Sequence, residues 1–151
     1  MTEVPGSDEL ETPSSRSPYI AAIVALIGLA DSIYLTIHHL TAEPVPCSLV
    51  SGCETVLTSA YAEFAGIPIA AFGGAAYFTA FALAVYAAYG VRVAWMLFGA
   101  LSSVMAGVSF WLLYLQAFVI GAYCQFCLVS AATSVILFLI AIFSRFWKRD
   151  V

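Results

Sequence analysis

Long apolar stretches separated by short polar breaks fill most of this chain. The first covers residues 19–40, interrupted only by Asp31, and the second covers residues 67–89. Residues 93–144 contain no charged side chain at all. A helix crosses a bilayer with about 20 residues, or about 25 when it is tilted, so the last stretch is long enough to cross twice. The pattern therefore predicts an all-α membrane protein, a bundle of four transmembrane helices.

Two breaks in the apolar pattern indicate where these helices begin and end. Residues 120–123 contain a glycine and are flanked by Gln116 and Gln125, which predicts the turn between the third and fourth helices. Before the second helix, Gly66 is a candidate N-cap, and Pro68 fits the first turn because its missing N–H would have no partner there.

The basic residues predict how the bundle is oriented. With four spans, every lysine and arginine falls at the same face, and such residues are enriched in cytoplasmic loops. That face is predicted to be cytoplasmic and to carry both termini. Residues 41–66, the turn at 120–123 and all four cysteines then lie at the outer face of the plasma membrane. The basic residues are Arg16, Arg92, Arg145, Lys148 and Arg149.

Composition agrees with a membrane protein. Hydrophobic residues make up 63% of the chain and charged residues 9%, and the mean hydropathy is +1.00, whereas soluble domains are about half apolar and a quarter charged. The polar, acidic residues 1–17 are predicted to form a disordered cytoplasmic tail. Residues 18–146 form the predicted membrane domain, and residues 147–151 a short cytoplasmic tail. Nothing indicates nucleic-acid binding.

All four cysteines occur in two close pairs. Cys47 and Cys53 are separated by five residues in the outer loop, and Cys124 and Cys127 by two residues at the start of the fourth helix. Three interpretations fit: an electron relay between two dithiols, two structural disulfides, which persist outside the cytosol, or a zinc site. The relay is favoured because a pair in a flexible loop can approach a soluble partner and then the fixed pair.

The pair on the fourth helix has the geometry of a redox motif. Residues i and i+3 share one helix face about 5–6 Å apart, within the span of a disulfide. The positive end of the helix favours a thiolate at Cys124. Cys127 lies one turn deeper and is predicted to face the apolar bundle. The pair could therefore connect an aqueous electron source at the water boundary to a lipid-soluble acceptor.

Residues 54–64, between the loop cysteines and the second helix, alternate polar and apolar side chains. Such a pattern is typical of a short helix that lies in the membrane interface. We expect this helix, in the outer loop between helices one and two, to cap the bundle.

Three segments together resemble the vitamin K epoxide reductase family, in its bacterial branch. They are residues 28–36 (Gly-Leu-Ala-Asp-Ser-Ile-Tyr-Leu-Thr), residues 47–73, which hold both loop cysteines, Ser59 and Gly-Ile-Pro, and residues 124–127 (Cys-Gln-Phe-Cys). The similarity extends over nearly everything from about residue 18 to residue 145.

The resemblance implies a bundle around a quinone, either menaquinone or ubiquinone, or a vitamin K-like molecule. It implies that Cys47 exchanges with a thioredoxin-fold partner, that Cys53 passes electrons to Cys124 through a transient Cys53–Cys124 disulfide, and that Cys127 faces the quinone. The redox disulfides are then Cys47–Cys53 and Cys124–Cys127, and Ser59 matches a Ser/Thr that assists at the quinone. The expected quinone contacts are Cys127, Ser59, Leu57, Tyr61, Ile69, Phe72 and Ala131.

Departures from the family pattern refine the expected substrate and partner. Animal members place an Asn and a Tyr, which contact vitamin K oxygen, where this chain has Ile69 and Ala131, so plain quinone reduction is favoured over epoxide reduction. Tyr61 replaces the usual Trp. Many bacterial members carry a fused thioredoxin-like domain, whereas this chain ends at Val151. Its partner, expected to be a DsbA-like envelope protein, is therefore predicted to be separate.

Several polar residues lie in or near the first helix. Asp31 is well inside it, where an ionisable group is costly and is a functional candidate by default. It is either a proton relay to the quinone or a hydrogen-bonded packing residue. His38 and His39 end the helix, and Glu54 and Glu63 follow in the outer loop. These four are interpreted as interfacial residues with no further role.

The favoured function is a membrane thiol:quinone oxidoreductase that generates disulfides. Two electrons would pass from a thioredoxin-fold dithiol through the two cysteine pairs to a quinone. Vitamin K epoxide or quinone reduction is the alternative within the same class. A disulfide-stapled membrane scaffold without turnover is the alternative from a different class.

Overall fold

The computed structural model describes residues 16–147. Residues 1–15 and 148–151, which make up most of the two predicted tails, lie outside the described residues. A six-residue π-helical turn, Leu115–Ile120, extends the third long helix. The elements in chain order are α1 (Ser17–Thr41), α2 (Cys53–Leu57), β1 (Glu63–Phe64), β2 (Ile67–Pro68), α3 (Ile69–Ala88), α4 (Arg92–Tyr114) and α5 (Gln125–Trp147).

Four helices in the described part of the chain are long and apolar enough to cross a membrane, which confirms the predicted bundle. They form a closed ring, in which α1 packs against α3 and α5, and α4 packs against the same two helices. The predicted turn at residues 120–123 is also confirmed, since the chain leaves the π-helical turn at Gly121, whose φ is +69°. The two cysteine pairs lie together at the end of the ring that includes this turn.

The bundle core is built around a tyrosine that joins two helices. Tyr77 on α3 is fully buried, and its ring lies directly against Gly28 of α1, where any side chain would overlap it. Its hydroxyl is 2.7 Å from the hydroxyls of both Thr133 and Ser134 on α5, and it donates to the backbone carbonyl of Ser130. These bonds satisfy the hydrogen-bonding capacity of the Tyr77 hydroxyl, which lipid could not do, and they fix α3 against α5.

The outer segment differs in detail from the sequence-based expectation. The predicted short helix exists, but it covers only Cys53–Leu57, and a two-stranded antiparallel hairpin follows it. Gly66 is not an N-cap as predicted. With Ala65 it forms the hairpin turn, and both residues have positive φ, as tight turns between strands require. The helix α3 begins at Ile69, directly after Pro68.

Candidate functional site

The outer cysteine pair is joined in the structure. Cys47 and Cys53 form a disulfide with their Cα atoms 6.1 Å apart. Cys53, at the start of α2, is buried, whereas Cys47 is partly exposed in the loop. The sulfur accessible to a soluble protein is therefore that of Cys47, and the sulfur turned inward is that of Cys53.

The second pair consists of free thiols at the start of α5. Cys124 directly precedes the helix and is fully buried, because the outer loop covers it. Cys127 lies one turn further on and is partly buried. The backbone N–H of Cys127 points at the sulfur of Cys124, with nitrogen and sulfur 3.5 Å apart.

Hydrogen bonding prepares Cys124 as a nucleophile. The thiol of Cys127, followed by the backbone N–H groups of Cys127 and Phe126, lowers the pKa of Cys124 to about 7, while burial and the Asp31 carboxylate act in the opposite direction. Thiolate is the form that attacks disulfides, so a substantial fraction of reduced Cys124 is reactive near neutral pH.

The two pairs belong to one small apolar cluster. Its buried members are Cys53, Val56 and Cys124, with Cys47 and Cys127 packed against them. The structure therefore brings together all four cysteines predicted from the sequence. The zinc alternative has no support from their arrangement, since Cys47 and Cys53 are oxidised. Within residues 16–147, no group of three or more His, Cys, Asp or Glu side chains could hold a metal ion.

Backbone contacts hold the loop over the α5 pair. A side chain at Gly52 would place its Cβ 2.7 Å from the carbonyl oxygen of Tyr123, so only glycine permits this approach. The side-chain oxygen of Gln125 accepts hydrogen bonds from the backbone N–H groups of Ser48 and Leu49, at 3.2 and 2.9 Å. The residues before Cys53 and before Cys124 are thus in direct contact.

A second glutamine holds Cys124 itself. The buried side chain of Gln116, in the π-helical turn, accepts a hydrogen bond from the backbone N–H of Cys124 at 3.1 Å. From the sequence both glutamines were only signs of a turn, and their hydrogen bonds to the outer loop and to Cys124 were missed. A polar side chain at the end of an otherwise apolar helix was the available signal.

Beneath the cysteines lies an apolar cavity of about 300 Å³ inside the ring of helices. Ser59 lies at its wall and donates a hydrogen bond to the Val56 carbonyl at 2.7 Å. Tyr77, which the sequence analysis did not single out, also lines it. All seven residues expected to contact a quinone surround this one space: Cys127, Ser59, Leu57, Tyr61, Ile69, Phe72 and Ala131.

Asp31 is not among the described residues that line this cavity, although its neighbour Ser32 is. One Asp31 carboxylate oxygen is buried without a hydrogen-bond partner among the described residues, and its charge acts on Cys124. Direct proton delivery from Asp31 to a molecule in the cavity therefore has no support from the geometry.

A second hollow of about 440 Å³, more polar than the cavity, lies beside it at the same end of the bundle. His39 and Glu63, interpreted from the sequence as simple interfacial residues, are joined there by a hydrogen bond, with His39 Nε2 and Glu63 Oε1 2.6 Å apart. This pair joins the end of α1 to the hairpin. The hollow is lined by His38, His39, Ala42, Glu43, Val45, Glu54, Leu57, Thr58, Ser59, Ala60 and Glu63.

Comparison with known families agrees with these motifs and this geometry. A model described as the Vitamin K epoxide reductase family matches residues 19–142, which is most of the chain. The chain belongs to that family. The match reaches all four spans and includes both cysteine pairs, and it confirms the resemblance seen in the sequence. Membership makes the protein a membrane redox protein of disulfide and quinone chemistry.

Proposed function

We propose that this member of the vitamin K epoxide reductase family is a thiol:quinone oxidoreductase that generates disulfides. The observation that carries the proposal is the position of Cys127. It lines the apolar cavity and lies one helical turn from Cys124, which is packed with Cys53 of the loop disulfide. One cluster thus holds all four sulfurs between a partly exposed loop and an apolar cavity.

The proposed relay begins at the loop. A thiolate of the partner attacks Cys47, and the Cys47–Cys53 bond breaks to release Cys53; the second partner thiol then forms the partner's own disulfide and frees Cys47. Cys53 attacks Cys124 in an oxidised Cys124–Cys127 pair and releases Cys127. Closure of the Cys47–Cys53 bond leaves both α5 cysteines reduced, and re-forming their disulfide delivers two electrons to the quinone.

The cavity suits a quinone ring. Ligand sites of this kind are mostly apolar with a few placed polar groups, and about 300 Å³ lies at the small end of their range. Here the polar atoms come from a few residues that include Ser59 and His39. Ile69 and Ala131 line the wall with hydrocarbon only, which favours a plain quinone such as menaquinone or ubiquinone over vitamin K epoxide.

The proposed electron donor is a thioredoxin-fold protein of the envelope, similar to DsbA. Such oxidants have high potentials, about −120 mV for DsbA, so their reoxidation needs an acceptor at least as oxidising. A membrane quinone meets that need, whereas glutathione does not.

Purified protein in lipid should reduce quinone when a reduced thioredoxin-fold protein supplies electrons. In the Cys47→Ala variant we expect this turnover to stop, because Cys47 is the sulfur that meets the partner, while DTT still drives quinone reduction. Absorbance of the quinone and alkylation of the partner thiols measure both reactions. If the protein is a scaffold without turnover, neither the wild type nor any variant would reduce quinone. Equal, mild effects from all four cysteine replacements would favour structural disulfides.

The proposed topology places both termini in the cytoplasm and the cysteines outside. The structure places the described basic residues Arg16, Arg92 and Arg145 at helix ends away from the cysteines, in keeping with the positive-inside rule. An impermeant maleimide, applied to intact cells after mild reduction, should label Cys47. A cysteine introduced at Arg92 serves as the opposite-side control and should react only after lysis. The reverse pattern would refute this orientation.

A further inference from the structure

The proposed function, on which this inference rests, also requires a supply of protons. Reducing a quinone to a quinol consumes two protons with the two electrons. A Cys124 that reacts as thiolate has already lost its proton, so the α5 pair brings one proton, that of Cys127. The second proton must enter a cavity with largely apolar walls. A side chain that borders both this cavity and a water-accessible space is a candidate carrier.

His39 lies in the wall between the water-accessible hollow and the cavity. Among the described residues it shares this position only with Leu57 and Ser59. Leucine carries no proton for transfer, and the Ser59 hydroxyl is held on the Val56 carbonyl. Of the three, only an imidazole gains and loses a proton readily near neutral pH.

The His39–Glu63 pair runs from water toward the cavity. The Glu63 side chain is 52% exposed, whereas the His39 side chain is 20% exposed. Glu63 holds one ring nitrogen, Nε2, and no described residue forms a hydrogen bond to the other nitrogen, so Nδ1 remains available for transfer. The other titratable groups that line the two spaces are His38, Glu43 and Glu54 in the hollow, and Cys127, Tyr61 and Tyr77 in the cavity.

We infer that His39 relays protons from the outer hollow to the cavity and that Glu63 positions its ring. In the balanced step, the Cys124 thiolate and the Cys127 thiol lose two electrons and form their disulfide. Both electrons, the Cys127 proton and one proton from the His39 imidazolium pass to the quinone. The neutral imidazole then regains a proton from the hollow, so charge and atoms balance.

The test compares two neighbouring histidines in the full-length protein in lipid. DTT serves as the electron donor, so that partner exchange does not enter the measurement. In His39→Gln we expect kcat for quinone reduction to fall about 10²-fold, the usual worth of a positioned proton donor, with little change in the quinone KM. Added imidazole should restore part of the rate. His38→Gln, whose ring lines the hollow but not the cavity, should behave as wild type, and Glu63→Gln should show a smaller loss.

Several results would overturn the relay. Wild-type turnover in His39→Gln would do so, as would an equal loss in His38→Gln, which would reflect general damage to this end of the bundle. A loss in His39→Gln with a raised quinone KM and no response to imidazole would make His39 a structural residue. A loss in Asp31→Asn beside normal turnover in His39→Gln would assign the route to Asp31. Failure of wild type to reduce quinone would refute the proposed function itself, so the two failures are distinct.

Discussion

The Cys127→Ala protein is expected to lose quinone reduction completely and to accumulate a disulfide between Cys53 and Cys124. Of the four cysteines, only Cys127 lines the cavity, so no other thiol can deliver electrons there. Without its resolving partner, the Cys124 thiolate attacks Cys53 of the loop disulfide and Cys47 leaves as a free thiol. The buried cluster that holds Cys53 beside Cys124 favours this bond.

Peptide mapping under non-reducing conditions detects the trapped bond. The matched control is Cys124→Ala, which should also fail to reduce quinone, with either the partner or DTT as donor, but cannot form the Cys53–Cys124 bond. A Cys47–Cys124 bond in place of the expected one would reverse the roles assigned to the loop cysteines. Appreciable quinone reduction by Cys127→Ala would show that electrons reach the cavity by another route.

The fold followed from hydropathy because a membrane helix is defined by length and apolar composition, both of which are local properties. The four spans and the turn near Gly121 were predictable for that reason. The hairpin at residues 63–68 was not, since strands of two residues carry almost no periodic signal. Gly66 was assigned to the wrong local motif because a glycine before a helix fits both an N-cap and a tight turn.

The candidate site was predictable where its chemistry depends only on residue type and spacing. Cysteine pairs are such a case, and similarity to a known family supplied Ser59 and the other expected quinone contacts. The His39–Glu63 pair was not predictable, because it joins residues from two elements whose approach depends on the hairpin. Asp31 is the opposite case. Its intramembrane position drew attention, but which side of α1 faces the cavity is decided by packing.

Nothing in the sequence indicated a role for Gly52. Its replacement should separate partner oxidation by the loop pair from electron transfer to the α5 pair. Its φ is −99°, a value that any residue adopts, so alanine introduces no backbone strain there. The added Cβ would instead lie 2.7 Å from the Tyr123 carbonyl. We expect the loop to move away from α5 and carry Cys53 from Cys124.

Partner-driven quinone reduction by Gly52→Ala should fall by about 10²-fold, as small misplacements of reacting groups commonly cause. The variant should still oxidise a reduced partner once, because its Cys47–Cys53 disulfide is intact, and DTT should still drive quinone reduction through the uncovered α5 pair. This combination differs from Cys47→Ala, which cannot oxidise the partner even once. Gly107→Ala is the control, since nothing lies within 4 Å of a Cβ at that helical position. Wild-type partner-driven turnover in Gly52→Ala would show that the loop leaves its observed position before Cys53 and Cys124 react.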